Sequence, residues 1–266
     1  TILVLFIAGL GEGLGTANRE YLENLDAQII VFRDKSDFVI PASRLQQTAV
    51  EQIRSLDGVA DAGGIATSNV AILLPDDAVL KVSLLGVDAG HPGSPEALKG
   101  ESLHADSDYQ VVVDQNVIDR SDIQLGDTIT LRATQGTEDV FYDLEVIGIT
   151  DGQSYTFQPS IFVTYSTWDE LRTKSDAEIG RPSSTVNVVA VRLDDPEQFD
   201  AVAQRIKSEI SDSAVADIQT AIENVPGYSA QQGTIQTQGI FTLLIGILVI
   251  GGFFQIQILQ KVPQIG

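Results

Sequence analysis

A chain of 266 residues with 37 acidic and 16 basic side chains, a formal charge of −21, repels nucleic acid and anionic lipid headgroups, so neither is expected as a partner. It contains no cysteine, which removes disulfides, thiolate metal sites and cysteine nucleophiles and suits an extracytoplasmic domain held by its core alone. Aspartates make up 24 of the acids and lysines number only 6, a balance that suits solubility in high salt.

The chain opens Thr1-Ile2-Leu3-Val4-Leu5-Phe6-Ile7-Ala8-Gly9-Leu10, without a basic region before the apolar run or a small-residue cleavage pattern. This reads as the outer half of a first transmembrane helix that begins upstream, the alternative being a buried N-terminal strand. Leu10, Leu14, Ala17, Tyr21 and Leu25 then recur at helical spacing among charged residues, so the helix is expected to continue outward as an amphipathic stalk. Gly9, Gly11, Gly13 and Gly15 form two pairs at four-residue spacing that would let another helix approach closely. They do not have the spacing of a dinucleotide-binding loop.

A strand is expected over 28–32. Ser43 with Gln46 predicts a capping box for a helix that places Leu45, Ala49 and Ile53 on one face, and Gly58 stops it before a strand begins at Val59. The same order recurs late in the chain: a strand over 186–193, Asp195-Pro196 as cap and first turn, Phe199, Val202, Ile206 and Ile210 on a helix face, and a strand near Ala214. Two such β-α-β units can form one ferredoxin-like sheet with both helices on one face. The residues between them read as an inserted, mostly β subdomain. Its strands are expected over 110–113, 128–132, 141–149 and 160–163, with turns at Gly126-Asp127 and Gly136-Thr137 and a short helix from Ser166 or Thr167.

A helix over 218–224 stops at Pro226-Gly227, and the uncharged stretch 228–238 reads as a second stalk or a linker. Ile240 to Leu259 then carries no charge, the length a helix needs to cross a bilayer. Thr242 and Gly246 are its candidate helix-packing positions. Lys261 directly after this run favours a cytoplasmic end there and an external position for the acidic domain.

Chemistry-bearing patterns are sparse. His91 and His104 are the only histidines and neither has a second ligand at helical spacing; His91, in Gly90-His91-Pro92-Gly93, reads as a solvent-facing turn residue. Asp106-Ser107-Asp108 and Asp114-Gln115-Asn116 resemble the start of a calcium loop without its Gly and distal Glu, and read as solvated acids. Asp76-Asp77 and Asp194-Asp195 fall where turns and caps favour Asp. Nucleophile elbow, Walker A loop and metalloprotease helix are missing from the sequence, so no catalytic residue, cofactor or metal ligand is expected.

Val111-Val112-Val113-Asp114, Leu125-Gly126-Asp127-Thr128-Ile129-Thr130-Leu131 and Leu144-Glu145-Val146-Ile147-Gly148-Ile149, set between two β-α-β units and two apolar helices, resemble the extracytoplasmic core domain of MacB-like and FtsX-like ABC transporter permeases. The resemblance covers essentially the whole chain. It implies an α+β fold in which the β-α-β pair is porter-like and the insertion is a small companion subdomain. The expected divisions are 1–27 for helix and stalk, 28–103 and 183–225 for the porter-like halves, 104–182 for the insertion, 226–259 for stalk and second span, and 260–266 for the start of a cytoplasmic coupling segment. That segment, Gln260, Lys261, Val262, Pro263, Gln264, Ile265 and Gly266, follows the family's Arg-x-x-Glu-Ile-Gly pattern but has Gln264 where the acid is usual. The resemblance further implies a plasma-membrane location in a prokaryotic cell, with lipid around the spans. Its implied partners are a separate ABC ATPase subunit, a second permease copy or paralogue, and an extracytoplasmic adaptor. The implied activity is mechanotransmission that exports or extracts a lipid, lipoprotein, peptide or drug. Sensor domains of membrane receptors and anchored adhesion modules share the two-span layout. Two further spans beyond Gly266 would mark a permease, and a cytoplasmic signalling helix there would mark a receptor.

Overall fold

The structure, a computed structural model, describes residues 20–155, 158–224, 237, 239–252 and 254. Ala17–Pro226 forms one compact unit, and Thr1–Thr16 with Gly227–Gly266 forms another. In the larger unit the chain runs α1 (Glu20–Glu23), β1 (Ile29–Arg33), β2 (Leu45–Gln46), α2 (Thr48–Arg54), β3 (Val59–Leu73), β4 (Val79–Val87), β5 (Lys99–Gly100), β6 (Gln110–Asp114), α3 (Gln115–Asp119), β7 (Thr128–Gln135), β8 (Glu138–Thr150), β9 (Ser160–Thr164), α4 (Tyr165–Leu171), β10 (Thr185–Val186), β11 (Val188–Leu193), α5 (Phe199–Glu209), β12 (Ser213–Asp217) and α6 (Ile218–Glu223).

The first layer is the four-strand order β12-β1-β11-β3, all antiparallel. Its strands alternate, as half-buried strands must. Ile29 and Val31 of β1, Val189 and Val191 of β11, and Ala62 of β3 turn one way, where Val50 and Ile53 of α2 and Val202 and Ile206 of α5 join them in one core. Both helices therefore cover the same face. Ile30 and Phe32 turn the other way and are equally buried, on the side where α6 packs against β1 and α1 packs against α6.

The middle of the chain closes on itself. β3 pairs β4, β4 pairs β9 in parallel, β9 pairs β6, β6 pairs β8 in parallel, β8 pairs β7, and β7 returns to β3 through Ala71↔Arg132 and Ile72↔Leu131. The result is a six-stranded barrel, which leaves no free edge around the ring. Alternate residues point inward, among them Val70, Ile72, Val82, Leu84, Val111, Val113, Leu131, Val146 and Ile161, and Val117, Trp168 and Leu171 join the same core. β3 serves both layers: Val59–Ile65 pairs β11 and Ile65–Leu73 pairs β4. The sequence-based expectations omit β4, β5 and α3, and β2 forms where a helix is expected.

Local expectations hold where the signal is local. Gly58 takes φ +87° after α2, Asp195 caps the turn before α5 by accepting from Glu197 N–H at 3.0 Å, and the short helix expected from Ser166 or Thr167 starts one or two residues earlier, at Tyr165, with Thr164 as its cap. The capping box at Ser43 does not form. Leu45 and Gln46 pair with Val186 and Thr185, α2 starts only at Thr48 without a side-chain cap, and Ser43 Oγ accepts from Arg33 N–H at 2.9 Å. Strand pairing from the far end of the chain outweighs the local cap. Of the expected stalk, the described helical part is Glu20–Glu23.

In the smaller unit, residues 239–252 are helical with exposed apolar side chains, Leu248 at 74 % and Leu243 at 66 %. Among the described residues no helix is long and apolar enough to cross a membrane. The expected first span, Gly9, Gly11, Gly13 and Gly15, the end of the second span at 255–259 and the coupling segment 260–266 lie outside the described residues. Thr242 and Gly246 lie on the described helix, and a Cβ built at Gly246 meets nothing within 4 Å.

Candidate functional site

The chain enters the domain through α1, and side chains of this short helix bond to the loops that follow β4 and β8. Tyr21, Leu22 and Leu25 are each at most 2 % exposed. The Tyr21 ring lies 5.6 Å from Phe162 of β9 and 6.2 Å from Tyr155. Its hydroxyl donates to the Gly93 carbonyl at 3.1 Å, and burial pushes its pKa up, so the group stays a neutral donor. Gly93 N–H donates in turn to the Leu25 carbonyl at 3.0 Å. Gly93 has φ +94° and a Cβ there would press on Ile65, so this loop is fitted to both β3 and α1.

Glu20 extends the connection to the barrel. Its Oε2 accepts from Ser154 N–H at 3.1 Å, and Ser154 Oγ accepts from Asn116 Nδ2 at 3.0 Å. Asn116 lies in α3, which Asp114 caps by accepting from Val117 N–H at 2.9 Å. The other Asp114 oxygen accepts from Ser160 N–H at 2.7 Å, tying β6 to β9. Asp114 has no exposed surface, and burial pushes its pKa up to about 6 against the lowering effect of these N–H donors. The expectation of a solvated acid at Asp114 is thus overturned. Its register on β6 turns it away from solvent, and the backbone N–H groups of Ser160 and Gln153 lie against it.

A third connection is ionic. Arg192 of β11 bonds Asp26 at 2.5 Å and lies 3.8 Å from Asp61 of β3. Asp61 accepts from His91 Nδ1 at 3.0 Å and lies 3.4 Å from Arg54 of α2. His91 does occupy a turn, its N–H donating to Asp88, but its ring is held by Asp61 instead of facing water alone. His104, Asp106 and Asp108 are exposed, as the sequence implies. Among the described residues, no three His, Asp or Glu side chains converge on a point that could hold a metal.

The outgoing side meets the same place. Asp217 caps α6 by accepting from Thr220 N–H at 2.6 Å, and α6 packs on α1. α1 thus touches β9 through Tyr21, the Gly93 loop through the Tyr21 hydroxyl, and the segment after β8 through Glu20. Sequence reading places Tyr21 on an apolar helix face but does not find Glu20, Gly93 or Ser154, whose partners lie 72 and 134 residues away.

The family profile described as MacB-like periplasmic core domain matches residues 1–209. A relative named "Putative hemin transport system permease protein HrtB", from Staphylococcus haemolyticus (strain JCSC1435), is 21 % identical over 264 residues, 99 % of this chain and 67 % of its own length. The periplasmic region of MacB from Actinobacillus actinomycetemcomitans superposes with a TM-score of 0.52 at 16 % identity, over 76 % of this chain and 94 % of that one. The extracellular domain of the noncanonic ABC-type transporter YknZ from Gram-positive bacteria gives 0.50 at 12 % identity, over 71 % and 99 %. Those two structures share the mixed α/β fold. With a barrel and a four-strand layer joined through β3, and a profile match over most of its length, the chain belongs to the family of MacB-like periplasmic core domains of ABC transporter permeases.

Proposed function

We propose that this chain is the force-transmitting part of a permease subunit. Its external domain is moved through α1 and α6 by helices that respond to ATP hydrolysis on a separate ATPase subunit. The observation that carries the reading is the three-way attachment of α1 and the turn that follows it: Tyr21 to Gly93, Glu20 to Ser154 and, in the turn, Asp26 to Arg192. A segment that only tethered a domain would not need bonds to two separate loops and to a strand. We read β12-β1-β11-β3 with α2 and α5 as the ferredoxin-like, porter-like half, and the barrel as its companion subdomain.

In this reading Ile240–Leu259 crosses the prokaryotic plasma membrane and 260–266 meets the ATPase. A second copy or paralogue supplies the helix that packs at Gly246, and an extracytoplasmic adaptor can complete the assembly. The chain itself performs no catalysis. The cargo class is a lipid, lipoprotein, peptide or drug, and hemin, the compound in the relative's name, is the first to test.

The test uses the full-length permease reconstituted in proteoliposomes with its ATPase. Tyr21→Ala is expected to leave ATP hydrolysis within about twofold of wild type while transport falls at least tenfold. Tyr21→Phe, which keeps the ring and loses only the bond to Gly93, is expected to lie between. Transport that follows ATP hydrolysis in proportion in both variants would overturn the proposal.

A further inference from the structure

The 90–93 loop, which bonds to α1 through Gly93, is also fastened to β3. A Cβ at Gly63 of β3 would lie 2.2 Å from the Pro92 carbonyl oxygen, so the strand carries no side chain where the loop crosses it. One residue before Pro92, the His91 ring sets Nδ1 against both oxygens of Asp61, at 3.0 and 3.1 Å. Main-chain bonds fix the same turn: His91 N–H donates to the Asp88 carbonyl at 3.1 Å, Ser94 N–H to the His91 carbonyl at 3.0 Å and Gly93 N–H to the Leu25 carbonyl at 3.0 Å. The transport reading uses Gly93 but gives the imidazole no role.

The side chains around the ring leave a charge unbalanced. Asp61 is 16 % exposed and His91 37 %, so the acid is largely withdrawn from water while the ring can exchange a proton with it. Asp61 of β3, Asp88 after β4 and Asp26 after α1 surround Arg54 of α2 and Arg192 of β11. Arg54 is further shared with Glu51 at 2.6 Å. Glu96, Asp151 and the second histidine, His104, line one cleft with His91, and Tyr165 lines another with it. Six carboxylates therefore stand against two guanidiniums, and a positive imidazolium would meet net negative surroundings despite both arginines.

We propose that His91 is a proton-operated latch, which in acid tightens the 90–93 loop on β3 and with it the loop's hold on α1. Imidazole is the side chain that changes charge between pH 5 and 8. Nδ1–H already faces Asp61, so the added proton goes to Nε2 and no rearrangement is needed. The bond to Asp61 then joins two charged groups, which makes it roughly twice as strong. The gain is full in acid and fades as rising pH takes the proton from the ring. The consequence for transport rests on the force-transmission reading: a tighter hold on α1 passes on more of each ATP-driven movement.

Hydrogen exchange of the full chain in detergent, read on segment 91–95 and corrected for the intrinsic pH dependence of exchange, tests the latch directly. Wild-type protection of this segment is expected to rise at least threefold from pH 8 to pH 5.5. His91→Gln, at a partly exposed position that does not threaten folding, is expected to show no rise. Asp61→Asn is expected to lose the rise as well, and His104→Gln to keep it. Asp114 also changes charge in this range but is common to all these proteins, so the difference between wild type and His91→Gln isolates the ring. No rise in wild type, or an equal rise in His91→Gln, would overturn the proposal. In proteoliposomes with the ATPase, hemin transported per ATP is expected to rise at least twofold when the domain's side is brought from pH 8 to pH 5.5, and to stay flat in His91→Gln. Protection that rises while transport per ATP stays flat in wild type would uphold the latch and overturn the force-transmission reading.

Discussion

Asp114 illustrates how one side chain changes meaning when its neighbours arrive from elsewhere in the chain. It caps α3 by accepting from Val117 N–H, a role the sequence reading as a solvated acid does not find. Its burial is not legible in the sequence either, because Ser160 lies 46 residues downstream. With a folded pKa of about 6 against an ordinary 3.8, its contribution to stability is complete below about pH 4 and is lost as pH rises through 6. Asp114→Asn cannot titrate, and its amide NH2 faces one of the two N–H donors. It should cost about 1–3 kcal/mol at pH 7. The wild type's margin over it should widen by on the order of 2 kcal/mol between pH 7 and pH 4. Urea unfolding of both proteins at the two pH values measures this, and a margin that narrows on acidification would contradict the assignment.

Among the elements, those with strong local alternation or helical period are legible: β1, β6, β7, β9, α5 and α6 fall within a few residues of their expected places. β4 is not, since its last six residues are all buried and alternation is lost. Pairing with β9 on one side and β3 on the other causes this. Gly86 of β4 shows the packing at its closest. A Cβ there would overlap Cβ and Cγ of Trp168, so the missing side chain lets α4 lie directly on the strand. Gly86→Ala should therefore cost about 1–3 kcal/mol. It should also shift the emission of Trp168, the one tryptophan of the chain, to the red as water reaches the ring. An unchanged urea midpoint would show that α4 can lift away freely.

At the scale of the whole domain, β3 belongs to both cores, so neither core can lose its strands without the other. Trp168 emission, which reports the barrel, and far-UV circular dichroism, which reports both layers, should give coincident urea transitions. Two separated steps would mean that the layers fold independently. Raising sodium chloride from 0.1 to 1 M should raise the melting temperature, because screening relieves the self-repulsion of a chain with charge −21. A falling melting temperature would instead point to ion pairs such as Arg192–Asp26 and Arg54–Asp61 as the dominant electrostatic effect.

The sequence by itself determined the charge, most strands and helices, and the order of elements by which the family resemblance is recognised, since all of these are written in residues close together along the chain. Tertiary structure decided that the barrel closes through Ile72 and Leu131, that Asp114 is buried, and that α1 is bonded to the Gly93 loop through Tyr21 and to Ser154 through Glu20. Each of those depends on partners dozens of residues apart, whose meeting leaves no period or spacing for a single sequence to show.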